Sequence, residues 1–399
     1  MACHSETRAA SKAVPEGTPV FLIVIDTLRA DHLGCYGYER DTSPELDAFA
    51  KQASLFETAT AQANSTFPSL TSILTGLYLK THRNYVAVPI EGLAADNDRV
   101  RSLAERFEEA GYQRLAVFSH PSWSGGPSRS IISRAWTEMS IIDPDLAPED
   151  RVRLTRGTDT NARAFPMLDS YLKSASDPVF CWLHYFEPHT DKWPNVYDAN
   201  PATRNLYLES HLREYGLERH AAALREIEPE ERPAWILAHI EPQHQSRAAL
   251  ANGRSLYDAE IRSCDAAISE FFDFLRARGL FDRLLIAVLA DHGENMEAGE
   301  ESGGDAVRGA SAFSHEKLYD GVALTPFLLK LPGQTRGLTH SALVQNIDLA
   351  PTLIELLDLP EDSQIEGESL VGVLSGEAGE VHEFVYIEST DYVEKAVRD

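Results

Sequence analysis

Four residues of this chain have types and settings suited to chemistry on a charged group: Asp26, Thr66, Asp291 and His292. Asp26 and Asp291 each end an apolar, partly β-branched run, Val20–Ile25 and Leu284–Ala290. Such runs read as strands buried on both faces of a parallel sheet. In a parallel sheet both ends project from one edge, where open α/β sheets bind ligands. Asp26, Asp291 and the adjoining His292 can therefore converge, and carboxylates with one imidazole suit a divalent cation such as zinc or manganese. The competing reading of Asp26 is a cap on the following turn. Thr66 lies in the stretch Ala61–Gly76, where Pro68 suits the first turn of a helix and Gly76 the position just past its end. Free N–H groups and the dipole at that N-terminus favour an anion. The Thr66 hydroxyl either caps the helix, as Ser and Thr commonly do, or attacks an electrophile whose negative charge the same N–H groups stabilise. A cation beside Thr66 would lower its hydroxyl pKa and make it a usable nucleophile.

The elements that must position these residues alternate along the chain. Thr42-Ser-Pro44 opens a helix expected to run to about Ala53. Arg99–Ala110 reads as an amphipathic helix closed by Gly111, Arg114–Phe118 as a short strand, and Pro178–His184 as a third buried strand leading into Tyr185-Phe-Glu-Pro-His189. Tyr257, Ile261, Cys264, Ile268, Phe271, Phe272 and Leu275 mark one stripe of a long helix. Thr325–Leu331 is strand-like, Asp348 opens a capped helix, and Glu383–Glu388 is expected to be the last strand. Strands alternating with helices predict an α/β fold, a doubly wound α/β sandwich. The loop from Asp291-His-Gly-Glu294 to about Ser314, rich in Gly, Ser and Glu, reads as a mobile rim. Residues 1–16 read as a flexible tail and 17–399 as one domain with a polar helical insertion at about 197–252 and a short C-terminal part. The insertion's His211, His220, His239 and His244 lie among charges and are expected to face solvent.

Composition narrows the function. The 399 residues are 43% hydrophobic and 25% charged, normal for a globular protein with a sizeable core. A net charge of −26 argues against a nucleic-acid partner, since phosphate backbones are bound by surplus Lys and Arg. An acidic protein handling an anion needs a local positive centre, and a bound metal ion supplies one. Cys3, Cys35, Cys181 and Cys264 are too scattered for a disulfide scaffold or a thiolate zinc site, and Cys181 and Cys264 read as core residues. No run is long or apolar enough to span a membrane, and oligomeric state is not encoded legibly. The opening Met1-Ala-Cys-His-Ser-Glu6 is compatible with the remnant of a removed export signal. That predicts a periplasmic or extracytoplasmic protein, with a cytoplasmic one as the alternative.

Together these segments resemble the sulfatase branch of the alkaline phosphatase superfamily. The resemblance rests on Val24-Ile-Asp-Thr-Leu-Arg-Ala-Asp-His-Leu-Gly-Cys-Tyr-Gly37, Thr42-Ser-Pro-Glu-Leu-Asp47, Pro68-Ser-Leu-Thr-Ser-Ile-Leu-Thr-Gly-Leu-Tyr78, His184-Tyr-Phe-Glu-Pro-His189, Asp291-His-Gly-Glu294, Leu318-Tyr-Asp320 and Asp348-Leu-Ala-Pro-Thr-Leu353. The run from Gly76 to Arg83 is similar to phosphonate and phosphodiester monoester hydrolases of that branch. The resemblance implies an alkaline phosphatase-like α/β/α sandwich with a large, mostly parallel central sheet. It implies a divalent metal, zinc or manganese ahead of calcium, held by Asp26, Thr66, Asp291 and His292. It also implies that His189 and His315 bind the ester oxygens, protonate the leaving group or ligate a second metal. Lys317, beside His315, either neutralises substrate charge or is a surface lysine.

Departures from the family pattern shift the expected substrate. Sulfatases carry Cys or Ser, converted to formylglycine, where Thr66 stands, in a Cys-x-Pro-Ser-Arg pattern; here it reads Thr66-Phe-Pro-Ser-Leu70. The sulfate-gripping Lys of the Gly-Lys-x-His segment is missing around Phe118-Ser-His-Pro121, and Thr27 replaces a second metal-binding Asp. Thr-Phe-Pro is instead similar to the nucleophile pattern of nucleotide pyrophosphatases/phosphodiesterases, but their Asp-x-x-x-His pair does not follow His189. The expected function is metal-dependent hydrolysis of a small anionic ester, a phosphodiester or phosphonate monoester, through a phospho-Thr66 intermediate. The alternatives are a sulfatase or promiscuous sulfate/phosphate esterase, a phosphoryl transferase to a sugar or lipid hydroxyl, and a non-catalytic binding relative.

Overall fold

The computed structural model describes residues 14–83, 100–120, 130–141, 156–174, 177–189, 197, 199–296, 313, 315, 317–360, 364–390 and 395–398. The strands are β1 (Val20–Ile25), β2 (Ser54–Thr60), β3 (Gln113–Phe118), β4 (Glu138–Ile141), β5 (Val179–Tyr185), β6 (Leu285–Ala290), β7 (Leu324–Thr325), β8 (Phe327–Lys330), β9 (Leu338–Gln345), β10 (Val385–Glu388) and β11 (Lys395–Arg398). The helices that matter here are α1 (Pro44–Ala50), α2 (Thr66–Thr75), α3 (Leu103–Glu109), α4 (Gly157–Ser174), α5 (Leu208–Glu214), α6 (Arg232–His239), α7 (Pro242–Ala277) and α8 (Leu349–Leu357).

Nine of the described strands form one sheet in the order β4-β3-β5-β1-β6-β8-β2-β7, with β9 also paired to β2. From β4 to β6 every pairing is parallel. β8 runs antiparallel to β6, and β2 is antiparallel to β7 and β8 but parallel to β9. All six residues of β1 are buried, which its unbroken apolar sequence requires of a central strand covered on both faces.

Alternation along β1 divides the core into two layers. Phe21, Ile23 and Ile25 pack with Leu46 and Phe49 of α1, Met167 and Leu168 of α4, and the α7 stripe through Ile261, Ile268, Phe271 and Leu275. Val20, Leu22 and Val24 pack with Phe67, Leu70 and Ile73 of α2, Phe107 of α3 and Leu353 of α8. The result is the expected α/β/α sandwich with a large, mostly parallel sheet, each fully buried large apolar side chain contributing roughly 1.5–3 kcal/mol. Cys181 and Cys264 lie in this core. None of the described helices is long and apolar enough to cross a membrane.

Several expectations are corrected. The helix from Thr42 ends at Ala50, and β2 begins four residues later. Val385–Glu388 is not the last strand, because Lys395–Arg398 pairs with it antiparallel. Asp348 does not cap α8; its carboxylate accepts from the Gln345 and Glu368 N–H groups and pairs with His382. His211 does not face solvent: it is 1% exposed, and its Nε2 lies 2.7 Å from Asp258 Oδ2. His239 is exposed, and His220 and His244 are half-buried. The long helix α7 begins at Pro242, so residue 252 falls inside one continuous helix. The tail through residue 13 and most of the loop to Ser314 (297–312 and 314) lie outside the described residues.

Candidate active site and metal centre

Strand register builds the centre of the site. Ile25 pairs with Ala290, so Asp26 and Asp291 follow at the same level on adjacent parallel strands. Val24 pairs with His184. Because alternate residues share a face, Val20, Leu22, Val24 and Asp26 line up beside Phe180, Trp182 and His184 and beside Leu285, Ala287, Leu289 and Asp291. The second core layer thus runs upward into two carboxylates and an imidazole, all three fully buried.

Helix α2 packs on that same face and brings Thr66 to its upper end. All ten α2 residues are buried, including five hydroxyl side chains. Four are satisfied locally: Ser69 donates to the Ala63 carbonyl, Thr71 to Phe67, Thr75 to Thr71, and Ser72 pairs with His82 Nε2 at 2.9 Å. Thr66 differs. Its Oγ1 lies 3.4 and 3.5 Å from the two Asp26 carboxylate oxygens. Thr66 is the first helical residue, after an extended Ser65, so its hydroxyl does not cap the helix. Gly76 ends α2 at φ 72°, the left-handed conformation that favours glycine.

Asp291 is gripped on one side only. Its Oδ1 accepts from the backbone N–H of His292 at 2.8 Å and of Thr27 at 3.1 Å. Its Oδ2 is buried with no hydrogen-bond partner among the described residues and faces His292 Nε2 at 3.6 Å. Thr27 holds φ 52°, unusual for a β-branched residue. Tyr257 of α7 braces that turn, its hydroxyl donating to the Thr27 carbonyl and accepting from Arg29 N–H. His292 Nδ1 lies 2.8 Å from the Gly293 carbonyl, and its Nε2 stands 3.9 Å from Asp26 Oδ1.

The electrostatics of this knot are unbalanced. Burial, and next the Asp291 carboxylate, push the Asp26 carboxyl well above its ordinary range. Burial raises Asp291 too, against the pull of His184. Burial pushes His184 down to about 4, and holds His292 well below its usual value with a contribution from His315. Buried carboxylates facing neutral imidazoles are a costly arrangement unless a cation joins them. The orphaned atoms Asp291 Oδ2 and His292 Nε2 point inward with Asp26 and Thr66. These donors therefore fit a divalent cation.

His189 and His315 stand beside this centre. The His189 and His315 rings are 5.6 Å apart, and His315 is 4.7 Å from the His292 ring. Both are half-buried, whereas Lys317 is exposed. Asn64 Nδ2 donates to the His315 carbonyl at 2.7 Å, while its Oδ1 accepts from Thr390 N–H.

Two residues escaped the sequence reading. His184 sits inside an apolar strand and reads there as core; only the register brings it to Asp26. Glu294, the fourth residue of Asp291-His-Gly-Glu, is fully buried, 3.7 Å from His315 Nδ1, with neither carboxyl oxygen hydrogen-bonded among the described residues. A surface cleft of about 580 Å³ beside Arg29, Tyr36 and Tyr319 contains none of the convergent residues.

Comparison with known proteins agrees with this architecture. Residues 19–359 match the family model described as Sulfatase. Human iduronate 2-sulfatase is 28% identical over 234 residues, covering 52% of this chain and 42% of its own length, so the chain matches less than half of that curated relative. Among solved structures, the phosphonate monoester hydrolase SpPMH of Silicibacter pomeroyi is similar in fold, with TM-score 0.62, 22% identity and coverage of 93% of this chain and 79% of that one. BT4656, solved with its substrate D-glucosamine-2-N,6-O-disulfate, superposes with TM-score 0.70 at 15% identity, covering 96% of this chain and 87% of that one. The match to the family model over most of the chain, on a fold shared with these neighbours, identifies the chain as a member of the sulfatase family.

Proposed function

We propose that the chain is a metal-dependent hydrolase of small anionic esters, acting on phosphodiesters or phosphonate monoesters through a covalent phospho-Thr66 intermediate. The observation that carries this reading is the Thr66 hydroxyl, buried at the first position of α2, 3.4 Å from Asp26, and unlike its neighbours on that helix not spent on a local hydrogen bond to backbone or histidine. A threonine has no route to the formylglycine of sulfatases, which moves the preference from sulfate to phosphate.

Asp26, Thr66, Asp291 and His292 would hold the cation, which when bound would supply Lewis-acid charge at the ester oxygens and favour the Thr66 alkoxide. Thr66 Oγ1 attacks phosphorus while the bond to the leaving oxygen breaks. The Thr66 hydroxyl proton has the Asp26 carboxylate within 3.4 Å as acceptor. First-turn N–H groups of α2 face the charge that gathers on the non-bridging oxygens. His189 or His315 delivers a proton to the departing oxygen. Water then attacks the phosphorus and gives its proton to the histidine that protonated the leaving oxygen, while the Thr66 Oγ1–P bond breaks and Oγ1 regains its proton from Asp26.

The second reading, a sulfatase or dual sulfate/phosphate esterase, is favoured by what the relatives are named for. A panel of aryl phosphodiester, aryl phosphonate monoester and aryl sulfate, assayed with zinc and with manganese, separates the two. Turnover confined to the sulfate would overturn the phosphoester reading.

A further inference from the structure

Two imidazoles, not one, direct a bare nitrogen at the carboxylates. His184 Nδ1 lies 2.9 Å from the Ser119 carbonyl, as His292 Nδ1 lies 2.8 Å from that of Gly293. A carbonyl only accepts, so each Nδ1 carries the proton and each neutral ring presents a lone pair at Nε2. His184 Nε2 is fully buried, has no hydrogen-bond partner among the described residues, and stands 3.6 Å from Asp26 Oδ2. A lone pair held against a carboxylate is repelled unless a proton or a cation lies between them. A histidine serving the core alone leaves that contact unexplained.

Distances favour the cation. Two ligands of one zinc ion are at most about 4.2 Å apart, twice a bond of about 2.1 Å. The His184–Asp26 contact lies inside that limit, as do those from His292 to Asp26 and Asp291 and from Thr66 to Asp26. One ligand atom each from Asp26, His184 and Asp291 fall within 4.8 Å of one another.

The geometry points to His184 Nε2 as a further ligand of the divalent cation, beside Asp26, Thr66, Asp291 and His292. The inference rests on the cation-dependent reading above and sharpens it, because a second imidazole nitrogen tilts the site towards zinc and away from calcium, which takes oxygens. The Ser119 carbonyl acts as the outer partner that fixes the ring's tautomer and direction.

The test strips the full chain with chelator and titrates it with Zn²⁺, Mn²⁺ or Ca²⁺ alone by calorimetry, then counts imidazoles in the zinc form by X-ray absorption. Two imidazoles are expected in the wild-type zinc shell and one in His184→Asn, whose amide can still donate to Ser119. Zinc affinity should fall roughly tenfold or more in that variant, with calcium affinity changed less than zinc affinity. A single imidazole in the wild-type shell overturns the assignment without recourse to any variant. So does a folded His184→Asn with unchanged zinc affinity while Asp291→Asn has lost binding; that pair of results leaves the cation site itself standing. Failure of wild type to bind zinc or manganese, or binding indifferent to Asp291→Asn, overturns both.

Discussion

Asp26 and Asp291 stand side by side at the ends of neighbouring parallel strands, because Ile25 and Ala290 are partners in the β1–β6 register. Without a cation, that closeness costs stability. Asp291→Asn should keep the two backbone bonds to Oδ1 and place an amide donor towards His292 Nε2. Denaturant unfolding in chelator should show the variant more stable than wild type by about 1–2 kcal/mol, and zinc should no longer raise its stability. A variant less stable than wild type in chelator would contradict the picture of a repulsive metal-free site.

Thr66 is expected to be the bond-forming residue. Thr66→Ala should lower turnover of an aryl phosphodiester by roughly a thousandfold or more, whereas Thr66→Ser, which keeps the hydroxyl, should retain most of it. Acid quenching during turnover followed by peptide mass spectrometry should find phosphate on the peptide containing Thr66 in wild type and none in the alanine variant. Equal rates for wild type and Thr66→Ala would rule out the nucleophile.

Thr27 combines two local costs: φ 52° on a β-branched residue and a buried hydroxyl without a hydrogen-bond partner among the described residues. Strain of this kind persists where neighbours impose it, here Tyr257 below and Asp291 beside. Thr27→Gly keeps the N–H that holds Asp291 and should stabilise the fold by about 1 kcal/mol. Equilibrium unfolding measures it, and a loss of stability would mean the side chain contributes more than it costs.

Asp258 gathers His32 Nδ1, His211 Nε2 and the Tyr38 hydroxyl, each at 2.7 Å, with Arg40 on Tyr38 and Glu214 beyond His211. Burial alone would raise its carboxyl; His32 and His211 more than offset that and hold it well below its usual 3.8. A carboxyl depressed in the native state contributes stability that is complete above its unfolded value and lost as pH falls towards the native one. Asp258→Asn should therefore cost about 3–5 kcal/mol near neutral pH, and the cost should be smaller at about pH 3 than at about pH 5. Acid and urea titrations of the pair check the sign.

The central strands and α2 are legible because their sequences admit few alternatives. β1 and β6 are unbroken apolar runs of central-strand length, β5 is apolar but for His184 and its terminal Tyr185, and Pro68 and Gly76 bracket a helix whose end needs a left-handed residue. The outer sheet is harder to read. β9, Leu338–Gln345, carries Thr339, His340 and Ser341 on an edge with little burial, and β2 pairs in both senses with three strands. The site divides along the same line. Asp26, Asp291 and His292 follow strand ends and so announce themselves, whereas His184 and His211 look like ordinary core and surface histidines until register and helix packing give them partners. Pairing across the sheet is information that one segment of sequence does not contain.

Helix α7 belongs to two cores at once. It runs 36 residues, about 54 Å at 1.5 Å per residue. Near its start, Ala248 and Ala251 join Leu208, Leu212 and Ile236 of the helices α5 and α6. Further on, Ile261, Ile268 and Phe272 anchor the layer beneath the central sheet. Unwinding α7 at either cluster interrupts one continuous hydrogen-bonded rod. The peripheral helices and the sheet thus share one element, so a single calorimetric transition is the expected outcome of a thermal scan, and the same helix that packs on α5 carries Tyr257, the brace beneath Thr27.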